Sequence, residues 1–311
     1  MDTKDMKVLE PWPLFGPGAE TFPGSDERPE GAICVDWQGK KDSQMIDVLP
    51  NVVYQSLSGE DQHFHLIRPI DPMAMFMPDA PKPKLPLVVY VPGSAWHRQN
   101  IWMGLDRACY FASRGFAFAI VEYRPVEVAI YPAQVRDAEA ATRFLLDHAE
   151  EYGIDPERVA FWGDSSGGHT VVCLAVEKPE MAKCVVDWFG PTDIGAMSYY
   201  PSALPHYGAD TPEALLIGGK DVLEYPELAQ TANPINGITS EKELPPFLIM
   251  HGAMDNIVPF NQSVRLYEKL KACGKEAVFY RLENAGHGVG GFSSDEALET
   301  SFRFIAEHLQ G

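Results

Sequence analysis

Three side chains in this sequence are of the types that acyl-transfer chemistry needs. Ser165 sits in Gly163-Asp164-Ser165-Ser166-Gly167, a G-x-S-x-G pentapeptide. His287 lies between two glycines in Gly286-His287-Gly288, and Asp255 follows His251-Gly252-Ala253-Met254. A serine hydroxyl is a poor nucleophile until a base removes its proton. A glycine-flanked histidine has the freedom to turn its ring toward that serine. An aspartate one loop away can hold the other ring nitrogen and stabilise the imidazolium. The pentapeptide alone carries little, because Gly and Ser are common; the elements around it carry the case.

Those elements alternate. Val159–Trp162 reads as a buried strand running into the serine turn, and 166–176 as the helix behind it. Glycines two residues either side of Ser165 would let strand and helix approach closely, and the helix start would aim its positive end at an oxyanion formed there. Strands are also expected at 87–91, which reads as buried, and at 116–122, 184–189, 247–250 and 277–282. Helices are expected at 103–114, 134–152 and 261–273. A last helix places Leu298, Phe302, Ile305 and Leu309 on one face. An antiparallel pair is expected over 52–69 with its turn at 58–61, and 69–86 reads as a proline-rich connector. Near-continuous apolar strands alternating with amphipathic helices predict a mostly parallel, doubly wound sheet with helices on both faces. Residues 1–50 read as an irregular N-terminal extension and 51–311 as one catalytic domain. The rhythm breaks at 190–245, which reads as a short cap-like insertion. In such a sheet, reacting groups belong at the carboxyl ends of strands, where Ser165, Asp255 and His287 all fall.

Composition narrows the partners. The chain has 311 residues, 45% of them apolar, with a net charge of −19. That charge argues against nucleic acid or an anionic membrane as partner and makes a neutral substrate the better expectation. No apolar run is long enough for a membrane span, and the first 20 residues lack a signal-peptide pattern. The cysteines number five. They are scattered, four of them lie in apolar stretches that suggest burial, and they favour a reducing cytoplasm. His63-x-His65 has no Cys, Asp or Glu ligand beside it and reads as strand surface rather than a metal pair.

With those residues in place, the sequence resembles α/β-hydrolase esterases near the hormone-sensitive-lipase group, especially bacterial acetylxylan and feruloyl esterases. The pieces that carry the resemblance are Val121-Glu122-Tyr123-Arg124, Tyr131-Pro132-Ala133-Gln134 with Asp137, and Tyr152–Arg158. The elbow itself, Asp187–Asp193, Pro226–Ala229 and Ala232–Ile235 add to them, as do His251-Gly252 with Asp255 and Gly286-His287-Gly288. The resemblance implies an α/β-hydrolase fold with Ser165, Asp255 and His287 as the catalytic triad, in that family's chain order. It implies short acyl esters as substrates, such as acetyl or feruloyl esters of plant cell-wall carbohydrate, and no metal or organic cofactor. One departure stands out. The family's oxyanion loop usually reads His-Gly-Gly-Gly-Trp; here it is Pro92-Gly93-Ser94-Ala95-Trp96. The donors expected are the amides of Ser94 or Ala95 together with Ser166. Trp96, Trp188, Tyr199 and Tyr200 are the candidate pocket residues. His251 and Asp164 read as structural hydrogen-bonding groups. The expected partner is a small-molecule or oligosaccharide ester, with a homo-oligomer left open. The rivals are an amidase or peptidase, and a non-catalytic binding protein on the same fold. A dipeptidyl-type peptidase would need a propeller domain ahead of the first core strand, where too few residues stand.

Overall fold

The computed structural model describes residues 25, 27–34, 45–70 and 84–309. The chain divides into two units, one of Met1–Ser43 and Asp71–Ala80, the other of Gln44–Ile70 and Pro81–Gly311. In the first, Ala32 N donates to Pro29 O across a turn, at 3.0 Å. Most of the expected extension and the connector's centre lie outside the described residues. Everything below concerns the second unit.

Its eight strands form one sheet in the order β1-β2-β4-β3-β5-β6-β7-β8. β1 (Ile46–Leu57) and β2 (Glu60–Pro69) form an antiparallel hairpin at one edge. The hairpin starts six residues earlier than position 52, so the expected boundary at residue 50 falls inside a strand. From β4 (Ala117–Val121) through β3 (Leu85–Val91), β5 (Ile154–Asp164), β6 (Cys184–Trp188), β7 (Phe247–Gly252) and β8 (Ala277–Leu282), every pairing is parallel. The central strands β3, β4 and β6 are buried at every residue, which is why they read as unbroken apolar runs.

Helices cover both faces. One core layer packs α1 (Leu105–Ala112) and α8 (Asp295–Leu309) against Val88, Trp162 and Trp188. The other packs α2 (Ala133–Asp147), α4 (Ser166–Glu177) and α7 (Asn261–Ala272) against Val89, Phe161 and Val185. The helix expected over 134–152 is broken into α2 and α3 (Ala149–Tyr152). At the break, the His148 ring Nδ1 sits 2.8 Å from the Phe144 carbonyl that its own backbone N–H also reaches. Gly153, at φ 70°, ends the run in the left-handed conformation that glycine tolerates.

Only Cys173 and Cys184 of the cysteines are buried, two fewer than expected; Cys109 is exposed because α1 buries Ala108, Phe111 and Ala112 and turns residue 109 outward. None of the cysteines is disulfide-bonded. Among the described residues, no helix is long and apolar enough to cross a membrane. Between β6 and β7 the chain makes only short helices, α5 (Pro212–Leu216) and α6 (Pro226–Thr231), with short 3₁₀ segments at Ile194–Tyr199 and Pro234–Gly237.

Candidate active site

The site is built at the carboxyl ends of β3, β5, β7 and β8. β5 ends at Asp164, and Ser165 takes φ 53°, ψ −127° before α4 begins. A non-glycine residue there is strained by about 1–3 kcal/mol, so its neighbours must hold it. Ser165 N donates to Trp188 O (2.9 Å), and its carbonyl accepts from His169 N (3.0 Å). Two glycines make the turn sterically feasible. A Cβ on Gly163 would lie 2.3 Å from Gly167 O, and one on Gly167 would lie 1.9 Å from Val91 O. Asp164 is structural, as expected: its Oδ1 accepts from Gly93 N (2.9 Å) and Tyr90 Oη (2.8 Å), tying the elbow to the loop after β3.

Two neighbouring strand ends bring the other groups in. His287 Nε2 lies 3.1 Å from Ser165 Oγ, and His287 Nδ1 lies 2.8 Å from Asp255 Oδ2. The β7 and β8 loops interlock, with Met254 N donating to Ala285 O at 2.8 Å. The Phe189 ring packs edge-on to the His287 ring at 4.7 Å. Asp255 Oδ1 accepts from Ile257 N and Val258 N, both at 2.9 Å. His251 Nε2 reaches Asp255 Oδ2 at 3.2 Å and Val258 O at 3.1 Å. Both of those partners are acceptors, so Nε2 donates. Burial on its own would push the Asp255 carboxyl up, but the His251 and His287 donors overcome it and hold the group well below the usual carboxylate range. Sequence reasoning treated His251 as structural; the structure makes it the second histidine on the acid. The i, i+4 spacing of His251 and Asp255 was the available signal.

The expected oxyanion donors separate here. Ser94 N donates to Ser166 Oγ at 2.8 Å, so that amide is committed and Ser94 is corrected as a donor. Its hydroxyl is committed as well, donating to His97 O (2.6 Å) and lying 3.0 Å from Tyr123 Oη, which sits 3.0 Å from Ser166 Oγ. Burial pushes the Tyr123 phenol up to about 12, so it is a neutral hydroxyl in this cluster. Ala95 and Ser166 both line the cavity that reaches Ser165, and Ser166 carries the first amide of α4, one of those a helix leaves unpaired. Ala95 and Trp96 take φ 53° and 60°, the region that glycines in this loop would reach without strain.

Of the pocket candidates, only Trp96 lines that cavity. Its Nε1 donates to His169 Nδ1 (3.2 Å), and His169 Nε2 lies 2.7 Å from Ala232 O, which fixes the neutral ring between one donor and one acceptor. Burial pushes the His169 pKa down to about 4. Trp188 is corrected: it is fully buried on the α8 face of the sheet, with Nε1 donating to Ser301 Oγ at 3.2 Å. Successive strand residues point to opposite faces, and Trp188 shares the parity of Cys184 and Val186, which lie in the same core layer. Tyr199 and Tyr200 are also corrected. Tyr199 is 73% exposed and borders a separate open groove beside Asp193 and Arg265, and neither tyrosine reaches the Ser165 cavity. The cavity is lined instead by residues that the sequence did not single out, among them Met197, His206, Glu213 and Ile257. His63 and His65 do not act together: His63 Nδ1 lies 2.7 Å from Glu122 Oε1, whereas His65 Nδ1 accepts from Asn51 N and its ring packs on Trp102.

Comparison with known proteins agrees with this architecture. The curated relatives include Esterase LipC of Mycobacterium tuberculosis, 26% identical over 68% of this chain and 54% of that protein. Probable carboxylic ester hydrolase LipM of the same organism is 27% identical over 71% of this chain and 54% of its own length. The chain thus spans about half the length of these relatives. A solved structure described as a truncated form of carbohydrate esterase from gut microbiota superposes with a TM-score of 0.74 at 29% identity, covering 87% of this chain and 99% of that one. The BD-FAE family profile matches residues 73–270. With a mostly parallel eight-stranded sheet and a serine elbow at its centre, the chain is an α/β-hydrolase of the hormone-sensitive-lipase-like group and belongs to the BD-FAE family.

Proposed function

We propose that this protein hydrolyses carboxylic esters of short acyl groups through an acyl-enzyme on Ser165. The observation that carries the reading is the unbroken chain from Ser165 Oγ to His287 Nε2 (3.1 Å) and from His287 Nδ1 to Asp255 (2.8 Å), with the serine on a strained elbow. Ser165 Oγ attacks the ester carbonyl as its proton passes to His287 Nε2. The Ala95 and Ser166 amides receive the oxyanion. His287 returns the proton to the leaving alkoxide as the ester C–O bond breaks. Water, deprotonated by the same ring, then releases the acid and restores Ser165. Asp255 holds the ring so that Nε2 faces the serine.

A short acyl group is supported by the space at the serine. The cavity beside Ser165 has a volume of about 50 Å³, whereas a cavity of about 150 Å³ admits benzene. An acetyl group suits that volume better than a feruloyl ring. A carbohydrate alcohol is supported by the carbohydrate esterase to which the chain is 29% identical. The test is hydrolysis of p-nitrophenyl acetate by the wild type and by Ser165→Ala. A loss on the order of 10⁵–10⁶-fold in kcat is expected. Retention of the wild-type rate in the variant, or a wild type inert toward every acyl ester, would end this reading.

A further inference from the structure

The wall of the cavity that reaches Ser165 holds a second histidine–carboxylate pair. His206 and Glu213 both come from the segment between β6 and β7, Glu213 in the first turn of α5. Both line the cavity that reaches Ser165. His206 Nδ1 lies 3.0 Å from Glu213 Oε1, and the two side chains are 5% and 4% exposed. Each is left half used, because His206 Nε2 and Glu213 Oε2 are buried and have no hydrogen-bond partner. Buried polar atoms are nearly always paired, and leaving one unpaired costs about 1–3 kcal/mol. The rest of the wall nearby is apolar, from Met197, Leu204, Ile257 and Val258, so the protein itself offers these two atoms nothing.

We infer that His206 and Glu213 are specificity-determining residues that bind a free hydroxyl carried by the substrate next to its ester bond. This rests on the ester-hydrolase reading above and adds the feature by which that site chooses its ester. A hydroxyl is the group that fits in either charge state of the pair. If His206 is neutral, with Nδ1–H on Glu213, then Nε2 and Oε2 are both acceptors and the hydroxyl donates to one of them. If His206 is protonated, Nε2–H donates to the hydroxyl oxygen while the hydroxyl proton goes to Oε2. A methyl group in the same place meets neither need. A site that hydrogen-bonds a substrate hydroxyl rejects an analogue lacking it, because its own polar atoms are then stranded.

The hydroxyl could belong to the acid or to the alcohol of the ester, and two matched pairs of probes separate these sources. Ethyl glycolate against ethyl propionate tests the acyl side. 2-Hydroxyethyl acetate against propyl acetate tests the alcohol side. In each pair a hydroxyl replaces a methyl at nearly constant shape, and kcat/KM is corrected for the uncatalysed rate. The wild type is expected to favour the hydroxylated member of one pair by about tenfold or more, the scale of one hydrogen bond to a charged group. In the double variant His206→Leu, Glu213→Leu that preference is expected to fall to near one. A ratio measured on a single preparation is independent of how much of the variant folds. A wild type with no preference in either pair, or a double variant that keeps the wild-type ratio, overturns the inference and leaves ester hydrolysis standing. Hydrolysis of none of the four probes or of p-nitrophenyl acetate would instead remove the parent reading, and this one with it.

Discussion

Two histidine–carboxylate pairs stand around Ser165, and they differ in how fully each carboxylate is used. At the end of β7, Asp255 takes four donors: two backbone amides on Oδ1, and His287 and His251 on Oδ2. In the segment before α5, Glu213 takes one donor, His206, and its second oxygen has none. The saturated carboxylate has no capacity left for a ligand, so it acts only through the His287 ring that it holds. The unsaturated pair cannot be explained by orientation, because nothing it holds reaches Ser165. Position in the fold accounts for the contrast. Asp255 follows a buried parallel strand whose loop is interlocked with the next one, so backbone amides are at hand. Glu213 sits in a five-residue helix bordered by loops, where few amides converge.

The strongest way to break the comparison is to corrupt the saturated pair. Asp255→Asn keeps the shape of the side chain but can offer an N–H where Oδ2 accepted one. The His287 ring would then favour the tautomer with its proton on Nε2, facing Ser165, where it cannot act as a base. A fall in kcat of roughly 10⁴-fold is expected, with the folded state retained by circular dichroism. A fall of less than tenfold toward p-nitrophenyl acetate would mean that Asp255 does not set the ring.

A third buried carboxylate sharpens the contrast, because it is poorly supplied and lies outside the cavity. Asp187, on β6, has only Gly190 N as a donor, at 3.1 Å, and its Oδ2 has no partner. Burial first, and the Asp164 charge second, push its pKa up to about 7 against that one amide. The sign follows from linkage. An unfolded aspartate releases its proton near pH 4 while the folded one keeps it to about 7, so the folded state binds more protons between those values. The contribution is fully present below about pH 4 and is lost as pH rises through 7. His169, held neutral down to about pH 4 by burial, acts in the opposite sense and is lost as pH falls from 6.5 to 4. Asp187→Asn removes the first slope and leaves the second. Its stability relative to the wild type should therefore improve from pH 4 to pH 8, by up to a few kcal/mol. Urea unfolding at the two pH values reads this, and a difference independent of pH would show that Asp187 is ionised in the fold.

The residues that could be read from the sequence are those fixed by local rules. A buried strand followed by a glycine-bracketed serine predicted the elbow; Asp255 follows the buried, apolar β7, and His287 follows β8, which is at most half-buried and includes Arg281. The pocket was illegible for two different reasons. Trp188 was a matter of parity: it alternates with Val185 and Asp187, and counting faces along β6 would have sent it to the α8 side. His206 and Glu213 had no such signal. They lie in the stretch without periodicity and are separated by a short loop that ends where Thr211 caps α5, its side chain accepting from Ala214 N. The expected donors in the loop after β3 divided in the same way. The strand end fixed where the loop starts, but the engagement of Ser94 N by Ser166 Oγ is a tertiary contact that spacing does not encode.

The smallest expected effect concerns His251, the residue that completes the saturated pair. Its Nε2–H is shared between Asp255 Oδ2 at 3.2 Å and Val258 O at 3.1 Å, while Nδ1 lies 2.7 Å from Ser263 Oγ. In His251→Phe, Asp255 keeps three donors, so the loss is one long, shared hydrogen bond to a charged group. About tenfold in kcat/KM is expected, the lower end of what such a bond contributes. The carboxyl should also move back up toward its ordinary range. Because a depressed carboxylate stabilises the fold above its unfolded pKa and loses that contribution as pH falls, the variant's acid-unfolding midpoint should move to higher pH. Circular dichroism during acid titration reads that shift separately from the rate. If the rate falls with the midpoint unmoved, His251 acts on the cavity wall through Val258 rather than on the acid. If neither changes, four donors are more than Asp255 needs, and the contrast with Glu213 would rest on the two backbone amides alone.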